Sequence, residues 1–260
     1  MGEGVQAGER EADAIGYGPL CTEFYDLDKP RAPADALAYY LERARLCGGA
    51  VLEPMCGSGR YLLPLLAAGV DIEGVDAAPA MLAACRRHAA RLGLDPVLHE
   101  QAFESLALPR RYALAFVPAG SIGLIEDRAL VSGLARLRGQ LERGATLLLE
   151  LIDPGAADEG DAEPAPRQVQ VDAQTTLTYD CRAERAEQGR ALRFVGRYTK
   201  RRGDEVLAVE DEILKLWLRE PAAVGRMLTA AGFEGTEIIP AAYPGLAESG
   251  CVLVTARGPR

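Results

Sequence analysis

Histidine and tryptophan are scarce, and no two cysteines stand two residues apart: the 260 residues include two His, one Trp and six Cys. A structural zinc site draws its ligands from closely spaced Cys and His. Cysteines scattered at 21, 47, 56, 85, 181 and 251, with His88 and His99 as the imidazoles, do not supply one, so no metal is expected. A basic excess is also missing. Lys and Arg number 29 against 38 Asp and Glu, a formal charge of -9, which repels a polyanion over most of a surface and disfavours nucleic acid as a partner. Long apolar runs are absent too. The longest, residues 145–152, falls far short of the roughly 20 residues that cross a bilayer, and residues 1–10 lack the apolar core of a signal peptide. The expectation is a cytoplasmic protein with reduced thiols and no membrane partner.

What is present is ordinary for a globular domain: 48 % hydrophobic and 26 % charged residues, in a chain long enough for one large core. After a polar start, residues 33–46 carry Ala, Leu and Tyr at helical spacing and stop at Gly48-Gly49. Strand-helix alternation follows. The pattern predicts strands at 50–53, 71–75, 97–101, 112–117 and 146–152, with helices at 60–68, 78–92 and 127–141 and a stop at Gly144. Such units build a Rossmann-like, doubly wound α/β sheet, mostly parallel. Residues 153–166, rich in Pro, Gly and acids, break the pattern as a connector. From 168 to 217 three runs rich in Val, Thr, Leu and Tyr, separated by turn-like pieces at 187–189 and 202–204, predict a small antiparallel β insertion. A helix at 221–231 and strands at 236–239 and 251–256, the last antiparallel, return the chain to the core. The expected organisation is an N-terminal segment 1–32, a core of 33–157 and 218–260, and the β-rich insertion 158–217 as a lid or dimerisation element; no internal repeat is visible.

The informative stretch is Val51-Leu52-Glu53-Pro54-Met55-Cys56-Gly57-Ser58-Gly59-Arg60, followed by Gly74-Val75-Asp76 at the end of the next strand. Glycines between a strand and a helix let a ligand press on backbone amides, so a nucleotide-like ligand is expected at the carboxyl edge of the sheet. A dinucleotide fingerprint needs a third Gly where Leu62 stands. Glu53, at the mouth of the loop, would repel a pyrophosphate but suits a ligand carrying an ammonium and a sulfonium.

These residues closely resemble the first motif of the class I S-adenosylmethionine-dependent methyltransferases: an acid, a small-residue loop with Gly-x-Gly, and a second strand ending in an acid. The resemblance implies methyl transfer from S-adenosylmethionine, leaving S-adenosylhomocysteine. It places Glu53 and the loop of Cys56, Gly57 and Gly59 on the methionine end and gives Asp76 both ribose hydroxyls, bidentate acceptance that suits a carboxylate. Ala77 and Met81 flank the adenine, and Gln101, Ala102 and Phe103 line its other face or bond its amine, Gln101 standing near where many relatives have Asp or Asn. Tyr25 stands where related enzymes cover the cofactor with an aromatic, or else simply anchors the chain. Pro118-Ala119-Gly120-Ser121 lies where the family meets its acceptor. It has neither the Asn/Asp-Pro-Pro-aromatic motif of nucleic-acid amine methylation nor the acids of aminopropyl transferases, which leaves a small-molecule acceptor.

Methyl transfer from a sulfonium needs mainly good positioning, so a dedicated base is optional and nitrogen and oxygen acceptors both stay open. Tyr25, Ser121, Tyr198 and Glu210 are the candidates to act on the acceptor. Glu210 and Trp217 read as acceptor-pocket residues or as a surface ion pair and a core ring. Arg193, Arg197 and Arg201 share one strand face, either wet or gripping an acidic substrate. His88 reads as solvated and His99 as cross-strand packing. The competing readings are a non-catalytic cofactor-binding or assembly protein, a homodimer paired through exposed strand edges, and a dehydrogenase, which stumbles on Glu53 and Leu62.

Overall fold

The computed structural model describes residues 16–156 and 165–258, so residues 1–15 and most of the connector, 157–164, lie outside it. Seven strands form the main sheet: β1 Val51–Pro54, β2 Ile72–Asp76, β3 Val97–Glu100, β4 Tyr112–Val117, β5 Leu141–Ile152, β10 Glu234–Ile239 and β11 Cys251–Arg257. Their order is β10-β11-β5-β4-β1-β2-β3. Neighbours run parallel from β3 to β5, and β11 lies antiparallel to both β5 and β10. Helices α2 Ala34–Leu46, α3 Leu62–Ala67, α4 Pro79–Leu92, α5 Asp127–Gly139, α6 Pro221–Ala230 and the short α7 Pro244–Glu248 flank the sheet. They close two apolar layers, one around Leu52, Ala115, Leu134 and Leu147, the other around Tyr40, Leu62, Phe116 and Leu253. Strand order reverses between β1 and β4, so the crevice for a ligand opens at their carboxyl ends.

The periodicity explains most elements. In α4, Met81, Leu82, Ala84, Cys85 and Ala89 are buried at helical spacing; Pro79 opens the first turn, and Gly93, left-handed at φ 67°, closes the last. All six residues of β4 are buried, as a central parallel strand requires. One expectation fails: α5 ends at Gly139, and Gly144 is not a stop. The strand runs through it from Leu141, and Gly144, at φ 72°, sits where β5 slips register against β4. A glycine reads alike in sequence whether it ends an element or relieves a bulge.

At the amino ends of the strands Glu73 is buried and accepts hydrogen bonds from His99 Nε2 at 2.8 Å, Tyr112 Oη at 2.8 Å and Arg110 Nη1 at 3.1 Å. His99 is therefore a hydrogen-bonding partner rather than simple packing. Burial alone would raise the Glu73 carboxyl; the bonds from His99, Tyr112 and Arg110 together outweigh it and hold it below the ordinary range. A depressed carboxyl stabilises the fold above its unfolded value, about 4.3, and that support is lost as pH falls through the folded value. Urea melts between about pH 5 and pH 3 should therefore show wild type losing more stability on acidification than Glu73→Gln; parallel losses would refute this.

Residues 167–217 form a separate four-stranded antiparallel sheet: β6 Arg167–Gln170, β7 Thr175–Ala186, β8 Ala191–Arg202 and β9 Glu205–Trp217, in that order. The short β6 is one strand more than the apolar runs predicted. On the inner face Leu177, Tyr179, Tyr198 and Lys200 meet helix α1, Pro19–Asp28, through its buried Leu20, Cys21 and Phe24. Residues 16–32 gave no helical signal of their own. A ten-residue helix is marginal alone, and this one is fastened from outside: Glu210 accepts the amides of Leu20 and Cys21 at 2.8 and 3.0 Å, a carboxylate on the positive helix end. Lys200 pairs with Glu23 at 2.7 Å and Arg167 with Asp28. Glu210 is thus a helix cap. The arginine row lies on the outer face, where Arg193 pairs with Glu184 and Arg197 with Asp211.

Candidate active site

The loop after β1 turns on left-handed residues: Met55 at φ 60°, Gly57 at 54° and Gly59 at 86°. At Gly59 a side chain would collide with Cys85 Sγ and Leu63, so glycine lets the loop close onto α3 and α4. Asp76, ending β2, ties this loop in place. Its Oδ2 accepts the Gly57 amide at 2.7 Å and its Oδ1 the Ala78 amide at 2.8 Å, just before α4. Burial raises the Asp76 carboxyl, and the amides of Ala78 and Gly57 oppose that. Each oxygen keeps a lone pair. Met81 is buried beside Gly57, and Cys56 is fully covered, its thiol pushed up by burial, so it packs rather than attacks.

Glu53 is 2 % exposed, and its Oε2 has no hydrogen-bond partner among the described residues. Burial, then the Asp76 charge, push its carboxyl well above the ordinary range. Arg60, seven residues on, lies against the rings of Tyr25 and Tyr61 and donates from Nη1 to Tyr25 Oη at 3.2 Å, while its Nε is buried with no partner among the described residues. A carboxyl and a guanidinium are thus each left partly unsatisfied around one loop.

Helix α1 lies over this loop. His88 of α4 contacts the Ser58 carbonyl through Nδ1 at 3.2 Å and Asp26 of α1 through Nε2 at 3.3 Å, so it joins loop to helix and is not merely solvated. Tyr25 faces the loop through Arg60. Behind α1, Tyr198 is buried, with its hydroxyl 3.0 Å from Glu212 and 3.3 Å from Cys21 Sγ. Past β4, Pro118 is buried, Ala119 and Gly120 are left-handed at φ 58° and 68°, and Ser121, half-buried, starts a 3-10 turn to Leu124. The Ala119 amide donates to Glu150 of β5, which also accepts the hydroxyls of Tyr40, at 2.6 Å, and Tyr243.

Two residues expected beside the adenine lie otherwise. Phe103 is a core residue, its ring packed on Gly133 of α5, because the 3-10 turn at Phe103–Ser105 points it inward. The Gln101 amide bonds both backbone groups of Ala107, at 2.8 and 3.1 Å, and closes that turn. Trp217 sits on the opposite face of β9 from Glu212, among Arg190, Lys215 and Arg219. Arg60, His88, Glu150 and Glu212 were missed. Of these, Glu150 carried a signal, a lone charge inside the apolar run 146–152.

The methyltransferase domain family matches residues 51–144, the Gly loop through α5. A dTDP-3-amino-3,6-dideoxy-α-D-glucopyranose N,N-dimethyltransferase of Streptomyces fradiae is 27 % identical over 244 residues, 86 % of this chain and 87 % of the relative. In fold the chain is similar to a sugar N-methyltransferase from Streptoalloteichus, with a TM-score of 0.74, 19 % identity and 100 % of both chains covered. It is also similar to an S-adenosylmethionine-bound amino pentose methyltransferase from Micromonospora echinaspora, with a TM-score of 0.69, 19 % identity and 93 % and 98 % covered. Among the described residues no helix is long and apolar enough to cross a membrane. A methyltransferase domain matched over residues 51–144, a relative aligned over most of both chains and folds shared with solved methyltransferases support reading the chain as a class I S-adenosylmethionine-dependent methyltransferase.

Proposed function

We propose that this chain methylates an amino nitrogen of a small molecule, and that the acceptor is an amino sugar carried on a nucleotide. The observation that carries the cofactor half is the pair of orphaned buried atoms, Glu53 Oε2 and Arg60 Nε. A zwitterionic amino-acid end, ammonium beside carboxylate, is what such a pair complements. When bound, S-adenosylmethionine supplies a methyl group on a positively charged sulfur, open to in-line displacement. Glu53 would hold the ammonium, Arg60 the carboxylate, and the amides and small residues of Cys56, Gly57 and Gly59 the chain between them. Asp76 offers its remaining lone pairs to the ribose. Ala77, Met81 and Ala102 border the adenine side, and Pro118 the acceptor side.

For an amine acceptor a neutral nitrogen lone pair suffices, so positioning and water exclusion carry most of the work. Helix α1, with Tyr25, and the sheet β6–β9 form the roof that does this. The amino-sugar reading is supported by the named activity of the Streptomyces relative and by the fold shared with a sugar N-methyltransferase and an amino pentose methyltransferase. The test is calorimetry with S-adenosylmethionine, S-adenosylhomocysteine and NAD, followed by mass spectrometry of dTDP-3-amino-3,6-dideoxy-α-D-glucopyranose incubated with enzyme and cofactor. Selective binding of the sulfur nucleotides and gain of one or two methyl groups are expected. Binding without methylation of this or other amino sugars would move the acceptor to another class, and tight NAD binding would defeat the cofactor assignment.

A further inference from the structure

Along β9 the residues Glu210, Glu212, Leu214 and Leu216 share the inner face, spaced by about 7 Å per pair. Leu216 packs directly on Gly123, just past β4, and Glu210 directly on Gly18, at the start of α1. Glu212 therefore lies in the roof between the acceptor-side turn and the helix that covers the loop. It is 4 % exposed. The other charged groups on this face have partners: Glu210 takes two helix amides, Lys200 takes Glu23, and Arg167 takes Asp28. Among the described residues Glu212 has the Tyr198 hydroxyl at 3.0 Å on Oε2, a long contact, 3.4 Å, from the Tyr17 amide on Oε1, and the neutral Cys21 thiol beside it, none of them a cation. No Lys or Arg among the described residues forms an ion pair with it.

A buried carboxylate without a counter-charge is costly and invites a cation. The surroundings suit one. Tyr179 and Tyr198 stack at 4.4 Å, and Phe24 tilts against both at 5.8 and 5.6 Å. The Tyr179 ring lies across Gly196, the residue facing Glu212 on β8. Tyr17, half-buried, packs against the same cluster. Carboxylate and aromatic faces together are the chemistry that recognises an alkylammonium.

We infer that Glu212, oriented by Tyr198, is the residue that recognises the acceptor's amino group, accepting its N–H and selecting an amine over a hydroxyl at that position. This rests on the amino-acceptor reading above. The assay follows wild type, Glu212→Gln and Tyr198→Phe with dTDP-3-amino-3,6-dideoxy-α-D-glucopyranose and its 3-hydroxy counterpart, with S-adenosylhomocysteine affinity measured on each protein. Losing one charge-assisted hydrogen bond should raise the Glu212→Gln KM for the amino sugar at least about tenfold, with a smaller change in kcat. Its S-adenosylhomocysteine affinity should match wild type, and its preference for the amine over the hydroxyl compound in binding should disappear. Tyr198→Phe should raise KM by less than Glu212→Gln. An unchanged KM in Glu212→Gln, or loss of S-adenosylhomocysteine binding in step with KM, overturns the assignment and leaves the amino-acceptor reading intact. Wild type that methylates no amine removes that reading and this assignment with it.

Discussion

Asp76→Ala lowers the affinity for S-adenosylhomocysteine by about two orders of magnitude in a calorimetric titration, with the fold retained. The argument is positional. Asp76 holds the Gly57 amide and the Ala78 amide with one oxygen each, so a single side chain sets both the loop and the start of α4. Hydrogen bonds to a charged group contribute about 1.5–3 kcal/mol each, and on our reading the same carboxylate also receives the ribose, so about 3 kcal/mol of binding depends on it. Because the strand beneath is buried on its own account, the loss should appear in binding and not in folding. Asp76→Asn keeps one acceptor oxygen and should fall between the two. An alanine variant that binds like wild type would mean the ribose is held elsewhere.

Glu150→Ala is expected to have the largest effect on stability. Its carboxylate is 2 % exposed and accepts from the Tyr40 and Tyr243 hydroxyls and the Ala119 amide. Removing it leaves two buried phenols without an acceptor, each at about 1–3 kcal/mol, and releases the amide of the exposed Ala119. A total near 4 kcal/mol would lower Tm by about 10 °C in a chain of this size. Glu150→Gln keeps an oxygen and should lose less than half of that. Turnover should fall in both even below their melting range, because on our reading the backbone of Ala119 and Gly120 borders the acceptor and this contact fixes it. If Tm fell and turnover per folded molecule did not, the loop would be positioned independently of Glu150.

The parallel core was legible because its elements are decided locally. The buried face of α4 and the six covered residues of β4 are written in their spacing, as are the strand positions of Glu53 and Asp76 and the turn at Gly57 and Gly59. What could not be read depends on distant partners. Helix α1 has no cap of its own; Glu210 supplies it from about 190 positions away. Phe103 is aromatic after a strand, which suits a groove and a core equally, and only the position of Gly133 decides. Glu212 and Trp217 lie on opposite faces of one strand. Alternation separates them, but which face is covered depends on where α1 docks.

That docking also dictates an order of events as the chain is made. The Gly loop and Asp76 come together from residues within about 25 positions, a contact of low sequence separation that forms early. The cover over them joins α1 to β8 and β9 across 177 to 190 positions, so it cannot be completed until the ribosome has delivered Trp217. A nascent chain halted earlier would present the cradle without its roof.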